Sequence, residues 1–358
     1  MQPKPWIEPM KRFTALFLIT VFTMSCGGTP EDESTGRLAS HLNFYNWSYY
    51  IGETTISDFQ DMTGVRVRYD NYSSNEEVLA RLQAGVSGYD VVVPSDYMVE
   101  VMISLGLLRP LNHDNLPNII HMDPRFMGLP FDPENRYSIP YQWGSAGIGV
   151  NTARIPDFEE SWGLLWDERY SGRISMLDDM RSGLVPALKL LGYSVNTTSE
   201  QELEEALDLM IQQKPIVKAY TSDTYIDLLK SGDVWIAYGW SGDIYQVARD
   251  NPDIRFFIPQ EGTYLWVDNM VIPQKAPSPY TAEVFMNYIM DPEVSAGITN
   301  ATWYASPNSN ATDYIRPEIT GDPSIYLSDE ILDRSEFLQD VGEQTRLYER
   351  IWSRLKSH

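Results

Sequence analysis

The stretch "VRVRYDNYSSNEEVLARLQAGVSGYDVVVPSDY", residues 65–97, decides the fold class. "VRVRYDNY" alternates as a strand does, because successive side chains leave opposite faces of the pleat. In "SSNEEVLARLQAG" a Ser or Asn start, acids in the first turn and a closing Gly frame a helix. "YDVVVP" then reads as a short buried strand. A strand, a helix and a strand in succession make one α/β unit.

Working outward, the same theme recurs from Leu42 onward. "RISML", "IVKAY" and "DVWIAYG" read as strands, each followed by polar turn residues and a helix such as "SGLVPALKLLG" or "TYIDLLKSG". "SEQELEEALDLMIQQ" places Leu203, Ala206, Leu207 and Met210 on one helix face. The pattern predicts α/β units with largely parallel strands and no internal repeat. In open α/β sheets the ligand crevice lies beyond the carboxyl ends of the strands. The turns "YNWSYY", "VPSDY", "LDDMRS", "YTSDT" and "GWSGD" should therefore share one rim.

A chain of 358 residues with 43% hydrophobic content can bury a substantial core, and its length suggests two domains. Acids outnumber bases 50 to 27, for a formal charge of −23. That balance argues against a nucleic-acid partner, because phosphate neutralisation needs clustered Lys and Arg. A cationic partner is the natural complement, although acidity also serves plain solubility.

Near the start, Lys11 and Arg12 precede "FTALFLITVFTM", which ends at "SCGG". This apolar run falls short of the roughly 20 residues that a bilayer span needs. It reads as a secretory signal, with initiation at Met1 or Met10. Cys26 is the only cysteine, so no intrachain disulfide can form. Its position directly after the apolar run resembles a bacterial lipoprotein signal, in which the cysteine becomes the lipidated first residue. Ser25 fits that pattern, whereas Thr23 stands where Leu is usual. The alternative is a plain signal with an incidental thiol. Residues 1–25 are thus the expected leader and residues 26–40 a flexible polar tether.

The rim turns, with "TYLWVDNM" and "NATWYASPN", carry Trp47, Tyr50, Tyr97, Trp240, Trp266, Trp303 and Tyr304 beside Asp96, Asp179, Asp243 and Asp268. Aromatic faces attract cations, at about 0.5–2 kcal/mol each, and cover methylene surface at about 25 cal/mol per Å². Carboxylates bind ammonium groups through charge-assisted hydrogen bonds. A ligand needing both is an alkyl chain punctuated by positive charges, and linear polyamines fit. For Asp96, Asp223 and Asp243 the competing explanation is helix capping. Any single Trp is more often core than contact. Asp268 is different, because "YLWVDNMVIP" reads as a strand with no helix to cap. A buried carboxylate there must find a partner.

Enzyme chemistry finds less support. His41, His113, His121 and His358 are scattered, without the paired spacing of a zinc site. "GWSGD" is no nucleophile elbow, and "GIGVNT" lacks the third glycine of a dinucleotide fingerprint. No phosphate-binding loop motif and no cofactor site are evident. Paired acids leave a glycoside hydrolase as the enzymatic alternative.

In order along the chain, "NFYNWSYY", "YDVVVPSDYMV", "LPFDPENRYSIPYQWGSAGIGVN", "LGYSVNTT", "GWSGD", "LWVDNMVIP" and "WYASPN" resemble the spermidine/putrescine-binding proteins of bacterial polyamine uptake systems. The likeness runs from about Leu42 to the C-terminus. It implies a two-lobed α/β solute-binding protein of the type II class, with mixed sheets, flanking helices, and a cleft and hinge between lobes. Motif spacing assigns residues 41–144 and 267–312 to lobe one, and 145–266 and 313–358 to lobe two. The resemblance implies ring contacts from Trp47, Tyr50, Tyr97, Trp240, Trp266 and Tyr304. It implies polar contacts from Ser48, Ser95, Ser222 and Gln339, and amine contacts from Asp179, Asp243 and Asp268. Tyr49 and Ser182 stand where the family usually has acids, and Asp96 is a candidate to compensate. The implied partners are a polyamine and an ABC permease with its ATPase. The protein would be an extracytoplasmic monomer that touches the membrane only through a lipid anchor, with no catalytic role, metal or nucleic acid. The same fold serving a sugar, another cation or a metal complex held by Tyr49 and Tyr50 is the second reading.

Overall fold

The computed structural model describes residues 36–85 and 88–358, so the expected leader, Cys26 and most of the tether lie outside the described residues. The chain begins with β1 (His41–Trp47), α1 (Thr55–Thr63), β2 (Arg66–Tyr72), α2 (Asn75–Gln83), β3 (Val91–Val92) and α3 (Asp96–Ser104). The strand, helix and strand expected of residues 65–97 are all present. Ser74 caps α2 by accepting the Glu77 N–H at 3.2 Å, which satisfies one of the donors that a helix start leaves open.

Next come β4 (Ser138–Asn151), β5 (Ile174–Met176), α4 (Val185–Leu190), α5 (Glu200–Gln213), β6 (Val217–Tyr220), α6 (Tyr225–Ser231), β7 (Ile236–Trp240), α7 (Ser241–Asp250) and β8 (Ile254–Phe257). Then β9 (Tyr264–Val271) returns, followed by α8 (Pro279–Ile289), α9 (Pro292–Thr302), the short α10 (Pro317–Thr320) and α11 (Asp329–Asp333), β10 (Glu336–Phe337) and α12 (Thr345–Ser357). Leu203, Ala206, Leu207 and Met210 form the buried face of α5, as its periodicity required. Leu347, Tyr348, Ile351 and Leu355 bury the matching face of α12. Among the described residues no helix is long and apolar enough to cross a membrane.

The strand order is β2-β1-β3-β9-β4-β7-β5-β6, with β10 beside β9 and β8 beside β4. Pairs β1–β2, β1–β3, β5–β6 and β5–β7 are parallel, as crossover helices demand. Contrary to a mainly parallel reading, β4 runs antiparallel to β7, β8 and β9, and β3 antiparallel to β9. The cause is topological, since β4 leaves β9 for β7 part-way along its length and β9 follows β8 back to pair with the first half of β4. Residues Ser138–Ser145 of β4 pair with β9, and from Ala146 the same strand pairs with β7. Both strands are buried along their whole length, including the polar side chains of Ser138, Gln142 and Ser145 on β4 and of Asp268 and Asn269 on β9.

Candidate functional site: a carboxylate and aromatic cleft

All five strand-to-helix turns open on one cleft. Trp47, Ser48 and Tyr50 come from the end of β1, and Ser95 and Tyr97 from the turn after β3. Asp179 follows β5, Ser222 follows β6, and Trp240 and Asp243 flank the start of α7. Trp266 and Asp268 project from β9, and Tyr304 follows α9. The space they surround is about 730 Å³ when counted out into the open mouth of the cleft.

Two expected contacts lie elsewhere. Asp96 turns inward, where one oxygen accepts the Tyr97 N–H at 2.8 Å and the other the Val267 N–H at 3.3 Å. It ties α3 to β9 and does not line the cleft with Tyr49 and Ser182. Burial pushes its carboxyl up to about 8. Gln339 is exposed, with its carbonyl accepting from Arg181 at 2.9 Å and its N–H donating to Asn196 at 2.9 Å. Its neighbour Leu338 faces the cleft instead. In extended chain a shift of one position turns the side chain to the opposite face.

The sequence reading also passed over Tyr72, Asn75 and Tyr264, which line the cleft. Tyr72 ends β2 and Asn75 begins α2, a further strand-to-helix turn that the rim argument covers. Tyr264 precedes Trp266 and Asp268 by two and four residues on β9, so strand alternation places all three on one face. Asp223 lines the cleft and accepts the Thr224 N–H at 2.6 Å, but it does not cap α6, whose cap position is Thr224 and has no side-chain cap bond.

The acids are poorly compensated. Asp268 is 5% exposed and accepts the Ser95 hydroxyl at 2.7 Å. The Tyr50 hydroxyl lies near enough to draw its pKa down, yet makes no hydrogen bond of normal geometry. Burial dominates and pushes Asp268 up to about 7. Asp243 accepts the Tyr225 hydroxyl at 2.6 Å on one oxygen and the Tyr304 hydroxyl at 2.7 Å on the other. Even so, burial holds it at about 6. Asp179 accepts the Ser182 N–H at 2.7 Å, and burial raises its carboxyl against the opposing pull of Ser182 and Arg181. No basic group is among the influences on Asp243 or Asp268.

Trp47 and Trp240 are held in place by their indole N–H groups. Trp47 donates its Nε1–H to the Val93 carbonyl at 2.8 Å. Trp240 donates to the Tyr264 hydroxyl at 2.7 Å, which in turn donates to Ser182 Oγ at 2.9 Å. Trp47, at the end of β1, and Trp240, at the end of β7, lie with ring centroids 6.3 Å apart. Deeper in, Tyr304 meets Tyr50 and Trp266 edge-on, each at 5.1 Å. Fixed π faces beside carboxylates that lack cations suit a ligand with methylenes and positive charge. Among the described residues no group of three His, Cys, Asp or Glu is placed to hold a metal ion.

Comparison with known proteins agrees with this geometry. Residues 54–325 match the family described as bacterial extracellular solute-binding protein. The chain is 34% identical over 318 residues to a spermidine/putrescine-binding periplasmic protein of Salmonella typhimurium, covering 88% of this chain and 91% of that one. It is 34% identical over 368 residues to the putrescine-binding periplasmic protein SpuD of Pseudomonas aeruginosa, covering 97% and 99%. The crystal structure of the Tp0655 (TpPotD) lipoprotein of Treponema pallidum superimposes with a TM-score of 0.79 at 32% identity, covering 89% and 100%. The chain therefore belongs to the bacterial extracellular solute-binding proteins.

Proposed function

We propose that the cleft binds a linear polyamine such as spermidine or putrescine and hands it to an ABC permease driven by its ATPase. One observation carries this reading. Three carboxylates, Asp179, Asp243 and Asp268, are over nine-tenths buried on the cleft wall among aromatic faces, where an uncompensated charge is costly. A polyamine would supply the cations, and its methylenes would lie against Trp47, Trp240 and Trp266. The names of the relatives point to the same ligands.

Closure by a hinge is part of the proposal. The lobes would divide at residues 144/145, 266/267 and 312/313. The change of partner along β4 after Ser145 supports the first division, and the pairing of Leu265 with that same residue supports the second. We further propose an extracytoplasmic monomer anchored through an acylated Cys26, which intact-mass spectrometry of membrane-extracted protein would test. In this reading the cleft performs no chemistry on its ligand.

Calorimetric titration with spermidine, putrescine and an oligosaccharide tests the function. The expected result is saturable 1:1 binding of an amine that weakens as salt rises. Absence of amine binding at millimolar concentration would overturn it.

A further inference from the structure

Trp240 does more than present a ring to the cleft, because both of its N–H groups head hydrogen-bond chains that end at cleft acids. Its backbone N–H donates to the Tyr225 hydroxyl at 3.1 Å, and that hydroxyl donates to Asp243 Oδ2 at 2.6 Å. Its indole Nε1–H donates to the Tyr264 hydroxyl at 2.7 Å, which donates to Ser182 Oγ at 2.9 Å. Ser182 in turn donates its backbone N–H to Asp179 Oδ1 at 2.7 Å, and its hydroxyl also draws that carboxyl down against the effect of burial.

The direction of each chain is fixed by chemistry. A backbone or indole N–H can only donate, and a phenol has a single proton. Each tyrosine oxygen therefore accepts from Trp240 and sends its own proton on toward an acid. Burial pushes both phenols well above their ordinary range, so they remain donors. Tyr225 is fully buried behind Trp240 and Asp243. A Cβ at Gly239 would strike the Tyr225 ring and lie 2.8 Å from its hydroxyl oxygen, so only glycine leaves it room. Residues 239–243 thus supply the gap, the donor and the acid in one turn between β7 and α7.

We propose that Tyr225 and Tyr264 are positioning residues for amine binding, Tyr225 orienting Asp243 and Tyr264 orienting Asp179 through Ser182, both in register with Trp240. The inference rests on the polyamine reading of the cleft. It fixes the spacing between the ring that covers methylenes and the oxygens that meet ammonium groups. Tyr225 acts without touching the ligand, whereas Tyr264 also forms part of the cleft wall.

Calorimetric titration of putrescine and spermidine into the full chain and its variants tests this. Tyr225→Phe and Tyr264→Phe should each weaken binding about five- to tenfold. Adding Tyr225→Phe to Asp243→Asn should cost less than about twofold beyond Asp243→Asn alone, because its effect passes through that acid. The Trp240 indole N–H resonance, assigned by its loss in Trp240→Phe, should move upfield in Tyr264→Phe. It should move in Ser182→Ala as well, although Ser182 bonds to Tyr264 and not to the indole. A further five- to tenfold loss from Tyr225→Phe on the Asp243→Asn background, or an indole resonance unmoved by Ser182→Ala, marks a merely structural role. Either result overturns the inference and leaves the function standing, as does unchanged affinity in both tyrosine variants. Should Tyr225→Phe fail to fold, the indole resonance decides. Absence of amine binding by the wild type defeats both.

Discussion

Replacing Asp268 with Asn should make the empty protein more stable while weakening ligand binding. Its carboxyl is pushed from the ordinary 3.8 to about 7, chiefly by burial. One pKa unit corresponds to about 1.36 kcal/mol, so holding Asp268 ionised in the fold costs the empty protein about 4 kcal/mol at pH 8. The sign follows from linkage. The folded state holds this proton more tightly than the unfolded chain, so the penalty is absent below pH ~4, grows with pH and is complete above ~7. Asn keeps the size of Asp268 and can still accept the Ser95 hydroxyl, but it carries no charge. The gain in stability should be larger at pH 8 than at pH 5 by about 2–3 kcal/mol, or roughly 5 °C in Tm for a chain of this length. A hydrogen bond to a charged group contributes about 1.5–3 kcal/mol, so spermidine or putrescine should bind ten- to a hundredfold more weakly. Thermal melts with and without amine at the two pH values, with calorimetry, measure both effects. Unchanged amine affinity, or a stability change that is the same at both pH values, would refute the reasoning.

Acidification should weaken amine binding for the same reason, since Asp243 at about 6 and Asp268 at about 7 take up protons that compete with the ligand; calorimetry from pH 8 to pH 5 should show Kd rising throughout. Gly242→Ala should lower affinity about tenfold with the fold retained, because the new Cβ would sit 2.6 Å from the Thr302 carbonyl oxygen and 2.7 Å from the Tyr304 ring that positions Asp243. Raising salt from 50 to 500 mM should slow association more than it speeds dissociation, which stopped-flow Trp fluorescence can resolve; equal changes in both rates would count against electrostatic steering.

The α/β alternation was legible because each unit repeats the same local cues. Ser74 and Gly232, at the start of α2 and the end of α6, are examples read directly from side-chain chemistry. The rim was legible because strand ends are marked by polar residues, and those ends meet wherever the strands share a sheet. What local pattern could not convey was direction. Asp96 and Asp243 look alike in sequence, each in the first turn of a helix after a strand. One points at the backbone of β9 and the other at two tyrosine hydroxyls in the cleft. That difference depends on helix orientation, set by packing across the molecule. The antiparallel crossing by β4 and β9 was likewise invisible locally, because a strand buried on both faces has the same composition in either direction.

The acidity of the chain separates into two kinds of charge with different physical effects. On the surface, acids are often matched, as in Arg350 with Glu200, Arg354 with Glu204, and Lys356 with Asp178 at 2.8 Å. Such exposed pairs contribute little to stability. The excess of unmatched surface acids generates a negative potential that salt screens over roughly 10 Å, and this mainly governs how often a cation arrives. Inside the cleft, by contrast, Asp243 and Asp268 are shielded from solvent and have only hydroxyl donors beside them. Hydroxyls can hold a carboxylate in place without cancelling its charge. These acids are therefore positioned in advance yet remain electrostatically unsatisfied, and the folding free energy they cost the empty protein becomes available to whatever cation fits between the tryptophans.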